Sequence, residues 1–154
     1  MSFRIQGLPA EPFGELFALS DHDLTLRRAR RCRAPAGSSY PCRVSLTDAL
    51  PGDEVLLVHY EHHPVDSPYR SSFAIYVRPG ERTFDQRNVV PEQLQKRLLA
   101  LRSFDREGML REAELCEGTA VEACIERLFA QPRAHYIQAF YAKFGCYAAS
   151  IQRS

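Results

Sequence analysis

Lysine is nearly missing from this chain: Lys96 and Lys143 are its two lysines, and the other 18 of its 20 basic residues are arginine. A guanidinium pairs with carboxylate or phosphate in a bidentate fork that an ammonium cannot make, so the cationic chemistry on offer is arginine chemistry. Excess charge is missing too. The 20 basic and 19 acidic residues leave a formal net charge of +1, which supplies no global field for nucleic acid or an anionic membrane. No apolar run approaches the ~20 residues needed to span a bilayer, and Met1-Ser2-Phe3-Arg4 lacks the apolar core of a signal peptide. The cysteines, Cys32, Cys42, Cys116, Cys124 and Cys146, are odd in number, widely spaced and without a CxxC pair. That excludes a disulfide framework and makes a reducing cytoplasm the expected location. No glycine-rich loop follows a strand-like segment, which excludes the fingerprints of the nucleotide-binding folds.

What is present reads as one globular domain. A chain of 154 residues with 45% hydrophobic and 25% charged residues buries enough surface to fold without staples. Phe3 and Ile5 alternate with Arg4 and Gln6, a first strand that ends at Pro9-Ala10-Glu11-Pro12. Phe13, Leu16 and Phe17 sit at helical spacing, and Ser20 with Asp23 predicts a capping box for another short helix. Strands are expected over 43–46, 54–60 and 72–78, with Pro51-Gly52 turning between the first two. Val55-Leu56-Leu57-Val58 is apolar on consecutive residues, as in a central strand covered on both faces.

Pro91 ahead of Leu94, Leu98, Leu99 and Leu101 predicts a helix over 91–101. Segments 102–104 and 109–115 flank Asp105-Arg106-Glu107-Gly108 as a hairpin, although a continuing helix competes for the first of them. Thr119 with Glu122 forms a second capping box, opening a helix over 119–129 with Val121, Cys124, Ile125 and Leu128 on one face. Segments 136–141 and 146–152 alternate about Ala142-Lys143-Phe144-Gly145 and predict a closing β-hairpin. Hairpins outnumber strand-helix-strand crossovers, so the expected class is α+β, a single domain over 1–154 with a mainly antiparallel sheet.

Three polar clusters compete for a functional role. His59, His62 and His63 lie on an extended segment, where His59 and Glu61 point one way and Tyr60 and His62 the other. At ~3.3 Å per residue His59 and His63 stand about 13 Å apart, too far to share a metal. No metal site is therefore expected from the segment alone, and a metal-binding protein, a lesser alternative, would need Cys42 or Cys146 as a distant ligand. Cys42, between Pro41 and Arg43, has a guanidinium beside it that would lower a thiol pKa from ~8.5. Paired with His62 as base it is a candidate nucleophile, set against the ordinary role of a core cysteine. Tyr69, Arg70, Ser71 and Ser72 offer hydroxyl, amide and guanidinium donors suited to a carboxylate or phosphate, with Arg43 and Arg78 adding charge. The competing reading is a polar turn satisfied by its own backbone. Five arginines fall between Arg27 and Arg33, but without interleaved aromatics they read as a charged edge strand rather than a nucleic-acid surface.

Taken together, Tyr40-Pro41-Cys42-Arg43-Val44-Ser45-Leu46, Leu56-Leu57-Val58-His59-Tyr60-Glu61-His62, Ser67-Pro68-Tyr69-Arg70-Ser71-Ser72 and Gly145-Cys146-Tyr147-Ala148 resemble a bacterial family named domain of unknown function 1203. The resemblance spans nearly the whole chain. It implies a small single-domain bacterial protein and carries no activity, cofactor or catalytic residue. The leading expectation from the residues is a pocket for a small anionic ligand contacted by Arg43, Tyr69, Arg70, Ser71, Ser72 and His62. His62 and Cys42 are its catalytic candidates if the ligand is turned over. The rival expectation is a non-enzymatic module that forms a homodimer or partner surface with Tyr136, Phe140, Tyr141 and Tyr147.

Overall fold

A computed structural model describes residues 1–37 and 39–154. The described residues form nine strands: β1 (Phe3–Gln6), β2 (Ala29–Arg33), β3 (Glu54–His63), β4 (Ser71–Val77), β5 (Asp85–Arg87), β6 (Leu98–Phe104), β7 (Leu110–Glu117), β8 (Tyr136–Tyr141) and β9 (Cys146–Arg153). Helices are short: α1 (Glu11–Gly14), α2 (Asp21–Leu26), α3 (Glu92–Gln95) and α4 (Val121–Phe129). Among the described residues no helix is long and apolar enough to cross a membrane. The strands make a six-stranded sheet, ordered β5-β1-β9-β8-β6-β7, and a three-stranded sheet, ordered β2-β3-β4. Every strand pair is antiparallel. The class is α+β, with the expected closing hairpin made by β8 and β9.

Side-chain alternation builds two cores from one sheet. On one face of the six-stranded sheet Leu99, Leu101, Ile137 and Ala139 meet Val121, Cys124, Ile125 and Leu128 of α4. The other face sends Phe140 and Tyr147 against Leu56, Val58, Ile75 and Val77 of the three-stranded sheet. Phe13, Leu16 and Leu24 close that second core from the helical side. The expected central strand is β3, paired on both sides, and the arginine-rich segment is β2 at the edge of its sheet. Ser20 caps α2 as its spacing predicts, its hydroxyl accepting from the Asp23 amide at 3.1 Å.

Three local expectations differ. The helix opened by Pro91 covers Glu92–Gln95, and Leu98 already begins β6. Leu99 and Leu101 satisfy period two as well as period 3.6, and hydrogen-bonded neighbours on both sides, β7 and β8, decide for the strand. Thr119 does not cap α4: it lies in a 3₁₀ turn, Gly118–Ala120, and Ala120 occupies the cap position without a side-chain bond. That turn is pressed onto α3, where a Cβ on Gly118 would stand 2.0 Å from the Leu94 carbonyl oxygen. The strand expected over 43–46 is a turn, flanked by isolated bridges from Pro41 to Asp48 and from Cys42 to Tyr76.

The reason for that turn is Arg43, which is 1% exposed. Its amide donates to the Tyr76 carbonyl at 2.9 Å and its own carbonyl accepts from Leu8 at 2.8 Å. Inside, Nε donates to the Tyr147 carbonyl at 2.6 Å, one terminal nitrogen donates to the Pro41 carbonyl, and the other lies 3.0 Å from Cys146 Sγ. The guanidinium also sits 5.1 Å from the centre of the Tyr141 ring. No carboxylate pairs with it among the described residues. In a flat strand the N–H and C=O of one residue point to the same neighbour, whereas residue 43 sends its N–H to Tyr76 and its C=O to Leu8.

Replacing Arg43 with methionine keeps most of the volume but strips the donors from two buried carbonyls. Unsatisfied buried groups cost about 1–3 kcal/mol each, so Arg43→Met is expected to destabilise the fold by about 2–4 kcal/mol. Urea unfolding measures it. A loss under about 1 kcal/mol would show that the guanidinium does not hold the sheets together.

Candidate functional site

Strict alternation along β3 would turn His62 inward and His63 outward. Instead the β3–β4 register shifts: Tyr60 pairs with Phe73, but His63 pairs with Ser71. Three steps on β3 match two on β4, which is a β-bulge, and bulges re-aim side chains. Both imidazoles therefore face the six-stranded sheet, while His59 remains exposed.

His63 is buried at 2% exposure. Its Nδ1 lies 2.8 Å from the Tyr69 carbonyl and its Nε2 2.7 Å from the Tyr136 hydroxyl. A carbonyl only accepts, so Nδ1 carries the hydrogen, while Nε2 shares its hydrogen bond with the Tyr136 hydroxyl. The ring also packs 4.3 Å from Phe104. Both of its nitrogens are thereby committed, and His63 is an anchor.

His62 is only half-committed. The Gln138 amide donates through Nε2 to the His62 carbonyl at 2.9 Å, which points its Oε1 at His62 Nδ1, 3.2 Å away. Nδ1 is therefore the donor and Nε2 of the neutral ring holds a lone pair. Among the described residues every buried side-chain nitrogen or oxygen has a partner, so Nε2, which has none, is reached by solvent. The ring stacks on Tyr147 at 5.1 Å and meets Phe140 edge-on at 5.5 Å. Burial is the main reason that its pKa falls below the usual 6.5; His63 and Arg102 add to the lowering, while the Gln138 bond and Glu61 oppose it.

Arg102 completes the face. It is the cross-strand neighbour of Gln138 on β8, and its guanidinium lies 4.0 Å from the centre of the Phe140 ring. It has no hydrogen-bond or ion-pair partner among the described residues. A neutral acceptor and an unpaired guanidinium thus border the same Phe140 and Gln138.

The other residues singled out in the sequence are dispersed. Arg70 makes an exposed fork with Glu61, at 2.9 and 3.0 Å. Ser71 donates to the Tyr69 carbonyl at 2.7 Å, Ser72 is exposed, and Tyr69 edges Phe104 at 6.3 Å. Arg78 is tied to Asp53 at 2.8 Å and Thr47 at 2.6 Å. Cys42 lies in a separate cluster with Ala34, Ala49 and Val55. Burial, chiefly, pushes its thiol up to about 12, so the protonated form prevails near neutral pH. Among the described residues no group of three or more His, Cys, Asp or Glu is placed to hold a metal ion. Of the closing-hairpin aromatics, Phe140, Tyr141 and Tyr147 are buried in the cores and Tyr136 is half-buried. Sequence reasoning missed Gln138 and Arg102. The signal was there for Gln138: it is the one amide within the otherwise apolar run from Tyr136 to Tyr141.

Residues 39–153 match the family described as protein of unknown function DUF1203. No curated protein and no solved structure matches the chain.

A histidine held neutral by burial contributes stability above its unfolded pKa of about 6.5 and loses it as pH falls through the lower folded value, because the unfolded chain takes the proton first. NMR titration of the imidazole resonances is expected to give His62 a midpoint below 6.5 and the Nδ1–H tautomer above it. His62→Gln should flatten the stability slope just below pH 6.5. A midpoint at or above 6.5 would contradict the desolvated site.

Proposed function

Because this chain belongs to the DUF1203 family, whose description names no activity, we propose from its own geometry that it binds a small anionic ligand across the His62–Arg102 face. One observation supports this above the rest: His62 Nε2 is an accessible lone pair on a neutral ring, beside a guanidinium without a carboxylate. Such a pair suits a carboxylate or phosphate that also carries a hydroxyl. The anion would meet Arg102 in a charge-assisted fork, and the hydroxyl would donate to Nε2. The aromatic walls, Phe140 and Tyr147, exclude water from one side and strengthen both contacts.

The same arrangement has the parts for proton transfer. With its pKa below neutrality, His62 stands deprotonated and ready to accept the proton of a ligand hydroxyl, while Arg102 offsets the negative charge that develops. Arg43 and Arg70, expected from the sequence as contacts, suit the role less well because their guanidinium groups are taken by Tyr147, Pro41 and Glu61. Cys42 is replaced in this scheme by the imidazole acting alone.

A thermal-shift screen with citrate, phosphoenolpyruvate, 3-phosphoglycerate and inorganic phosphate tests the proposal. A ligand present at 100 times its dissociation constant should stabilise by about 2.7 kcal/mol. Arg102→Ala and His62→Gln are each expected to remove the shift, and Arg70→Ala to leave it. A shift that survives both of the first two variants would locate the ligand elsewhere and end the assignment.

A further inference from the structure

We propose a second site at the end of the six-stranded sheet, one that takes a small amphipathic carboxylate. Leu98 begins β6, Leu115 lies near the end of β7, and Lys143 and Phe144 form the turn after β8. Ala100 is the cross-strand partner of Leu115, so Leu115 is diagonal to Leu98 on the same face. With Tyr141 and Arg97 these residues enclose a hollow of about 710 Å³. That lies within the range of ~300–1,000 Å³ for small-molecule sites.

The walls are apolar and wet. Leu98 is 41% exposed, Leu115 65% and Phe144 71%, an unfavourable concentration of large side chains in water around one hollow. Phe144 occupies a hairpin tip, where a polar residue would cost nothing. Among the described residues the lining holds no acidic side chain. Its two cations differ in availability. Arg97 is taken, bonded to Asp48 at 3.0 Å and to the Gln93 carbonyl at 2.8 Å, with its guanidinium 5.0 Å from the centre of the Tyr141 ring. Lys143 is exposed and, among the described residues, makes no hydrogen bond or ion pair; its Nζ lies 5.7 Å from the centre of the Phe144 ring. One free positive charge at the mouth of an apolar hollow selects one anionic head on an apolar body. A stable protein interface buries roughly 800 Å² per partner, and three partly covered side chains fall well short of it, which favours a small molecule over a second chain.

Isothermal titration with dodecanoate and dodecanol, below their aggregation concentrations, reads both halves of the proposal. Dodecanoate is expected to bind at least tenfold more tightly than dodecanol, and Lys143→Gln to bring the two to parity. Leu115→Asp, at an exposed position, should abolish both while the unfolding midpoint stays put, and His62→Gln should change neither. Dodecanoate binding that survives Leu115→Asp, or equal binding of acid and alcohol to the unaltered chain, would overturn the assignment. So would cosedimentation with phosphatidylglycerol vesicles without binding of the monomeric probe, which would make the hollow a membrane-contact face. A dimer dissociated by Leu115→Asp in a chain that binds no probe would make it a self-association face, and would equally refute the carboxylate site.

Discussion

A buried cation with no carboxylate partner among the described residues, Arg43, governs this fold. Moving a guanidinium out of water costs several kcal/mol even after relaxation, and Arg43 is compensated by two backbone carbonyls, a sulfur and an aromatic face instead of a carboxylate. Those acceptors come from different elements, so the compensation exists only when the loop, β8 and β9 are assembled together. Tyr141 is the shared wall. Its ring lies between Arg43 and Arg97, its hydroxyl donates to Gln93, and Gln93 donates to the Cys42 carbonyl at 3.2 Å. Burial, chiefly, raises the Tyr141 pKa, so it remains a neutral phenol donor. Among the described residues no buried side-chain nitrogen or oxygen lacks a partner, which is the condition under which buried polar groups specify a structure rather than weaken it.

That anchor sets the two sheets face to face, and the bulge in β3 exploits the contact. With the sheets pinned at residue 43, the far end of β3 overlies β8, where a second polar seam of His62, His63, Gln138 and Tyr136 replaces apolar packing. His63 uses both ring nitrogens to hold the seam closed. His62 uses one nitrogen and leaves the other to solvent. A side chain oriented by a packed aromatic pair and a doubly bonded amide is pre-organised in the way a binding or proton-transfer group needs to be.

Much of the architecture was legible because local chemistry and tertiary context agree. The Val55-Leu56-Leu57-Val58 run is apolar on both faces because Leu56 and Val58 pack into the core between the sheets while Val55 enters a small cluster with Cys42 on the other side. The turns at Asp105-Arg106-Glu107-Gly108 and Ala142-Lys143-Phe144-Gly145 end in glycines with φ of 78° and 72°, a conformation that favours glycine. Leu94, Leu98, Leu99 and Leu101 were ambiguous since they fit two periods, and only the neighbouring strands resolve them. The histidine cluster pointed to the right stretch of chain, but a one-residue bulge reverses the facing of every residue after it.

The sequence alone determined the α+β class, the β6–β7 and β8–β9 hairpins, the edge position of the arginine-rich strand and the family, because these follow from alternation, turn residues and motif content within short windows. Tertiary structure alone decided which polar residues meet. Arg43 reaches Tyr147, and His62 reaches Gln138, across separations of 104 and 76 residues. Hydrogen-bond partnership at that range depends on sheet order and register, which no local pattern encodes. The same long-range geometry sets Arg102 over the Phe140 ring beside Gln138, a placement that no local pattern around residue 102 shows.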